Sequence, residues 1–80
     1  MLYLIDKPQS TVGVQSARND SNAVTVLIQD GVVLSPDIDG PVYYLQRDAD
    51  VRGVEVNEDE TITYEELVEL IDKHPVRSFI

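Results

Sequence analysis

The chain of 80 residues carries fifteen acidic and six basic side chains, so its formal net charge is −9. This excess of negative charge repels phosphate backbones and anionic lipids, and it argues against direct nucleic-acid binding and membrane-surface binding. The sequence contains no cysteine, which excludes disulfides, thiolate metal sites and persulfide chemistry on these residues. Hydrophobic residues make up 42%, enough for one small domain spanning residues 1–80.

The N-terminal residues predict a buried strand from Leu2 to Ile5, an apolar run that contains one aromatic residue. This run is too short for a signal peptide, and no apolar stretch approaches the ~18 residues of a membrane span, so we expect a cytoplasmic protein. Residues Gln9 to Asn19 form only a weak apolar pattern. Because Gly13 disfavours helix by roughly 1 kcal/mol relative to alanine, we expect a short, poor helix there.

The strongest strand pattern runs from Ala23 to Ile28, β-branched and almost continuously apolar, which is typical of a strand covered on both faces. The residues after it permit two interpretations. Asp30-Gly31 between apolar runs is a hairpin signal, and local chemistry slightly favours that interpretation. In the alternative, the strand ends at Gln29 and a short helical turn follows Gly31, limited by Pro36.

A third strand is predicted from Val42 to Leu45. Tyr43 and Tyr44 are adjacent on it and must point to opposite faces of the sheet. Because tyrosine is enriched at interfaces, one of the two is a candidate contact to another chain, although core packing is as good an explanation for either.

The residues after this strand predict a single helical turn. Asp48 is the expected N-cap, and Gly53 suits the left-handed position that ends a helix. Asp48 and Arg52 are four residues apart, a spacing that allows a weak surface ion pair. Val54 to Glu60 is acidic and is expected to be a loop.

The C-terminal part contains the most distinct helix pattern, from Tyr64 to Lys73, after a short strand at Thr61 to Thr63. Thr63 and Glu66 have the spacing of a capping box, and Pro75 ends the helix. The residues after Pro75 end in apolar side chains, and no element is predicted for them. The predicted apolar stripe of the helix consists of Leu67, Val68, Leu70 and Ile71.

The order of strands and helices predicts an α/β protein, a small three-layer parallel sheet flanked by helices. No catalytic residue, metal ligand or cofactor site is predicted. His74 lies at a helix C-terminus, where a capping or packing role explains it, and no Ser/His/Asp spacing accompanies it. The acid-rich segments lack the ligand ladder and glycine of a calcium loop. Ser10 and Thr11 follow the first strand, where parallel α/β proteins often bind anions, but no phosphate-binding motif is present.

Several segments together carry a family resemblance. They are Met1 to Leu4, Val26 to Val32, Val42 to Leu45 with Asp48 and Arg52-Gly53, Ile62 to Leu70, and His74-Pro75. This ordered set, which covers most of the chain, resembles the DsrH/TusB family, whose members are subunits of cytoplasmic sulfur-relay complexes. The resemblance implies a DsrE/F/H-like fold and favours the strand end over the hairpin at Gly31.

The resemblance also implies a function and partners. A non-catalytic subunit of this kind would scaffold persulfide-carrying DsrE/TusD-like and DsrF/TusC-like subunits, in the relay towards 2-thiolation of the tRNA wobble uridine. The missing cysteine fits the TusB-like role, although DsrH-type members of the sulfur-oxidising branch carry one. The positions expected to bind partners are Asp30, Gly31, Tyr43, Tyr44, Asp48, Arg52, Gly53, Tyr64 and His74.

Two other functions stay open. A domain of this length buries only about 60% of its unfolded surface, so self-association is expected to add buried area. The chain is then either a relay subunit or a stand-alone homo-oligomeric acidic domain. The third alternative is a small anion-binding module that uses the loop after the first strand.

Overall fold

The computed structural model describes residues 1–7, 11–33, 38 and 40–79. In these residues, five strands form one parallel sheet in the order β4-β3-β2-β1-β5. The strands are β1 (Leu2–Ile5), β2 (Val24–Leu27), β3 (Val42–Leu45), β4 (Thr61–Ile62) and β5 (Val76–Phe79). The α-helices are α1 (Thr11–Arg18), α2 (Gln46–Val51) and α3 (Tyr64–Lys73), and two 3₁₀ turns lie at Gln29–Val33 and Glu58–Glu60. The predicted α/β class with a small parallel sheet between helices is confirmed.

The connections place different elements on the two faces of the sheet. From β1 to β4 the chain steps across the sheet in one direction, and α3 then carries it back to β5 beside β1. Right-handed crossovers therefore put α1, the Gln29–Val33 turn and α2 on one face, and α3 on the other. We call these the three-element face and the α3 face.

The three-element face is closely packed. Its cores combine strand residues with small or branched residues of the covering elements, such as Ala17 of α1, Val32 of the turn and Ala49 of α2, all nearly inaccessible. The small alanines let α1 and α2 approach the strands closely.

The α3 face has a core of its own, and every second residue of the strands points into it. Leu67 of α3 is buried there, and Leu70 packs against the cluster from the same helix. The strand residues of this core are Leu2, Val26, Leu45 and Ile62.

The predicted capping box at the start of α3 is confirmed. The Glu66 backbone N–H donates to Thr63 Oγ1 at 3.2 Å, and the Thr63 N–H donates to Glu66 Oε1 at 3.0 Å. Both bonds satisfy backbone donors that a helix N-terminus otherwise leaves to water.

The strand end expected from the family resemblance at Gly31 is confirmed and the hairpin interpretation is wrong, because β2 ends at Leu27 and a 3₁₀ turn follows. Two other local predictions need correction. Asp48 is not an N-cap, because α2 begins at Gln46 and Leu45 occupies that position without a side-chain cap. No element was predicted after Pro75, yet β5 pairs there with β1, with Leu2 opposite Val76.

The end of α2 agrees with prediction. Gly53 has φ +66°, the left-handed conformation that glycine adopts without strain. The Gly53 N–H donates to the Asp50 carbonyl, and the Val54 N–H donates to the Ala49 carbonyl. This is the Schellman pattern of helix termination.

Candidate functional site

The carboxyl ends of β1, β2 and β3 meet at one edge of the sheet, which we call the carboxyl edge. Ligand sites of parallel α/β proteins usually lie at this edge. Gln29 leaves β2 there with φ +50°, an uncommon conformation for a residue with a side chain. Its backbone N–H donates to Asp48 Oδ2 at 2.7 Å, so the Asp48 carboxylate ties the exit of β2 to α2.

Arg52 joins two carboxylates at the same edge. Its Nε donates to Asp30 Oδ1 at 2.8 Å, and its Nη1 lies 3.8 Å from Asp48 Oδ1. The predicted Asp48–Arg52 pair is therefore present, but Asp30 is the closer partner. The Asp30 side chain is 73% exposed, so the network contributes at most about 1 kcal/mol. The carboxylates of Asp30 and Asp48 already neutralise the charge of Arg52, so Arg52 is poorly suited to bind a further anion.

The two predicted glycines have packing and backbone roles. Gly31 is buried, and a Cβ built on it would overlap the backbone carbonyl of Ile5 in β1. Only glycine lets the turn lie this close to β1. Around Gly53 the space is open within the described residues, and its left-handed conformation explains it.

Tyr43 and Tyr44 point to opposite faces, as predicted. Tyr43 packs against the core of the α3 face, and Tyr44 packs against the core under α2. Both are partly buried, so each is accounted for by packing within the domain. A contact of either one with another chain stays a prediction.

Tyr64 and His74 lie at opposite ends of α3. Tyr64 begins the helix and is 68% exposed. His74 follows the helix, and its backbone N–H donates to the Leu70 carbonyl at 3.1 Å. His74 is thus at the amino edge of the sheet, far from the Asp30, Asp48 and Arg52 group.

The sequence interpretation missed Asp6. This residue directly follows β1, is only 6% exposed, and its Oδ1 has no hydrogen-bond partner within the described residues. The signal was available, since a polar residue after a buried strand lies at the carboxyl edge. A buried carboxylate beside the loop after β1 counts against anion binding there. Ser10 lies outside the described residues, as does the Thr11 side chain.

The shifted pKa values belong to a structural contact at the amino edge. The Tyr3 hydroxyl donates to Asp20 Oδ2 at 3.0 Å. The pKa of Asp20 is lowered, chiefly by the Asn22 backbone N–H that donates to its Oδ1, and then by Tyr3. The pKa of Tyr3 is raised, chiefly by burial and then by the bond to Asp20.

The clefts of the described residues are lined by acids. One of about 700 Å³ is lined by Tyr44 and several valines together with Asp50, Glu55 and Glu60. Within the described residues, no three acidic or histidine side chains are placed to hold a metal ion together. None of the helices described is both long and apolar enough to cross a membrane.

A second cleft, of about 400 Å³, lies between one flank of α3 and strands β3 and β4. It is lined by Tyr43 and by three polar side chains of α3, Glu66, Glu69 and Lys73, so this flank of the helix is polar. The opposite flank carries exposed apolar side chains instead: Val68, 42% exposed, and Ile71, 40%. Val76 of β5 is also 40% exposed. We call Val68, Ile71 and Val76 the α3–β5 surface. Tyr64 is not part of it, because it lines a cleft with Arg47 and Val51 of α2 at the carboxyl edge.

Comparison with known proteins adds no identification, since neither a protein-family model nor a curated protein sequence matches the chain. The DsrH/TusB resemblance therefore stays a prediction, and function has to be argued from the geometry above.

Proposed function

We propose that this chain is a non-enzymatic docking subunit of a sulfur-relay assembly, similar in role to TusB/DsrH. The α3–β5 surface carries the docking part of the proposal. Three large apolar side chains, Val68, Ile71 and Val76, are each at least 40% exposed on the α3 face. Exposed apolar side chains grouped on one face are typical of a protein interface.

The relay part of the proposal depends on the resemblance and on the missing thiol. The eighty residues contain no cysteine and a single histidine, so persulfide cannot be carried on them. His74 lies at the amino edge, remote from the acidic residues at the carboxyl edge. The partners proposed are DsrE/TusD-like and DsrF/TusC-like subunits that supply the cysteines, in the relay towards the tRNA wobble uridine.

Co-expression tests this proposal. The chain is produced with cysteine-bearing DsrE-like and DsrF-like proteins of the same genome, and a tag on this chain alone is used for purification. We expect a stoichiometric complex that transfers persulfide sulfur only when the companions are present. Recovery of this chain without the companions at micromolar concentration contradicts the proposal, as does sulfur transfer by the chain alone.

A homo-oligomeric acidic domain is the second candidate. The observation that favours it is β5, whose outer edge has no partner strand among the described residues. Strand edges and apolar patches both promote self-association. Sedimentation velocity of the purified chain decides this point, since a homo-oligomer predicts a concentration-dependent increase in sedimentation coefficient.

The anion-binding module has weaker support because of Asp6. Inorganic phosphate is expected to leave the melting temperature unchanged. A phosphate-dependent increase that is lost in Ser10→Ala would revive this function.

A further inference from the structure

The α3 face has room for a second helix beside α3. Five strands spaced about 4.8 Å apart make a sheet about 19 Å wide, whereas one helix with its side chains is about 10 Å across. In the described residues α3 is the helix on this face, and Leu67 fixes it over the central strands. Leu45 of β3 and Ile62 of β4 are nearly inaccessible on this face, whereas Val76 of β5 is 40% exposed, so the uncovered part of the sheet lies at β5.

The two sides of α3 differ in chemistry. On the side of β3 and β4, Glu66, Glu69 and Lys73 line the polar cleft. Val68 and Ile71, three residues apart on α3, lie on its opposite flank, towards β5. Val76 of β5 faces the same side of the sheet as its partner Leu2, which belongs to the α3 core. The α3–β5 surface is thus an apolar strip on the β5 side of α3.

Acidic residues border this strip on its solvent side. Glu65 precedes Val68 by three residues and Asp72 follows it by four, so both lie next to Val68 on the outer surface of α3. Both are exposed. A partner that covers the strip would bring its own flanking residues against these two carboxylates.

The charges discriminate between occupants. A second copy of this chain carries the same net charge of −9. A symmetric α3–α3 contact would bring Glu65 and Asp72 close to the Glu65 and Asp72 of the second copy. Like charges in contact are unfavourable, whereas Lys or Arg at those positions would be attracted and steered on approach.

We infer that the α3–β5 surface binds a basic amphipathic helix of a different polypeptide, which lies beside α3 over β5. Its apolar side chains cover Val68, Ile71 and Val76, and its basic side chains face Glu65 and Asp72. The inference rests on the proposed docking function and assigns the chemistry of the partner. These three apolar residues are a small patch, so binding belongs to the weak, transient class of interfaces below about 1,200 Å².

The probe is a synthetic helical peptide with one leucine face and lysine at the other positions. The matched peptide has the same leucine face with glutamate in place of lysine. Each is titrated into the ¹⁵N-labelled chain, and amide shift changes are mapped by NMR. We expect saturable shifts at residues 64–76 with the lysine peptide and none with the glutamate peptide. Shifts centred elsewhere, or equal binding of both peptides, overturn the inference.

Variants separate local recognition from the overall charge. The double variant E65K/D72K is expected to weaken binding of the lysine peptide by roughly tenfold, which corresponds to about 1.4 kcal/mol. The double variant E58K/D59K changes the net charge by the same amount on the other side of α3. It is expected to weaken binding of the lysine peptide by less than about twofold. Equal effects of the two pairs mean that attraction is nonspecific, and the inference falls. V68S keeps the charge and is expected to weaken the peptide, and its fold is checked by the amide spectrum.

Two outcomes distinguish this inference from the proposed function. If the relay subunits bind V68S as well as they bind the unchanged chain, docking stands but the partner assignment to this surface is wrong. If the relay subunits do not bind while the lysine peptide does, the relay proposal fails and the surface stands. A homodimer that V68S dissociates overturns the heterologous partner.

Discussion

The two faces of the sheet are covered unequally, and the cause is topological. Among the described residues, three connections step from β1 to β4 in one direction and deposit α1, the Gln29–Val33 turn and α2 on one face. The single return step leaves α3 alone on the other. Both faces expose apolar side chains of their covering elements: Val33 and Val51 on the three-element face, and Val68 and Ile71 of α3 on the other. The α3 face in addition exposes an apolar strand residue, Val76 of β5. Strand order thus leaves the edge strand β5 partly uncovered on the face that carries a single helix.

The largest effect is expected where one helix supports a whole face. Leu67→Ala removes the buried anchor of α3 and leaves a cavity, at a cost of roughly 2–5 kcal/mol of unfolding free energy. Val68→Ala, one residue along and 42% exposed, is expected to cost less than about 1 kcal/mol. Urea denaturation followed by circular dichroism measures both. Similar losses for the two variants would show that the exposed flank of α3 is also packed.

On the three-element face, the test is overpacking. Gly31→Ala places a Cβ against the Ile5 carbonyl, so the turn must shift away from β1, at about 1–3 kcal/mol. Gly53→Ala is the control, because it has open space and only its left-handed backbone is disfavoured, at about 1 kcal/mol. Thermal denaturation compares them. If the Gly31→Ala protein is as stable as the Gly53→Ala protein, or more stable, the result contradicts the close approach of the turn to β1.

The capping box of α3 predicts a smaller loss. Thr63→Ala removes the acceptor for the Glu66 N–H and is expected to destabilise the chain by about 1 kcal/mol. Thr63→Ser keeps a hydroxyl at the same place and is expected to stay within a few tenths of the original. Urea midpoints of the three proteins measure this difference. Equal losses in both variants would assign the effect to the threonine methyl group.

The smallest effect concerns pH. Because the pKa of Asp20 is lowered in the folded chain, its stabilisation is present above the ordinary aspartate pKa and is lost as pH falls through the lowered value. Asp20→Asn is therefore expected to reduce stability near neutral pH and to make less difference in strong acid. Asp50→Asn removes the same charge from α2 as a control. Unfolding free energies at several pH values test this, and a constant Asp20→Asn difference would contradict it.

The sequence predicted elements whose signals are local. The β-branched run of β2 and the Thr63–Glu66 spacing specify their own structures, and both were found. The predictions that failed concern residues whose contacts are distant in the sequence. Aspartate is a preferred N-cap residue, but the Asp48 carboxylate instead accepts a hydrogen bond from the backbone N–H of Gln29, nineteen residues earlier. β5 contains Arg77 and Ser78 and is an edge strand, so its pairing with β1 leaves no periodic pattern to read.

The candidate site was predictable in the same uneven way. Asp30, Asp48 and Arg52 were predicted as binding positions from the family resemblance, and they do lie together at the carboxyl edge. Gly31 was chosen as a binding position, yet its contact with β1 accounts for it. The exposure of Val68 and Ile71 could not be derived from periodicity, because a helical stripe does not reveal how much of its width the sheet covers.

The pairing of β1 with β5 has a consequence for how the molecule is made. β1 lies between β2 and β5, and the Leu2 N–H donates to the Pro75 carbonyl, so one edge of β1 stays unpaired until β5 joins the sheet. Bringing these two strands together requires closing the long loop between them, and contacts of long sequence separation slow folding. On the ribosome, β1 therefore keeps one unpaired edge until Val76–Phe79 has been synthesised.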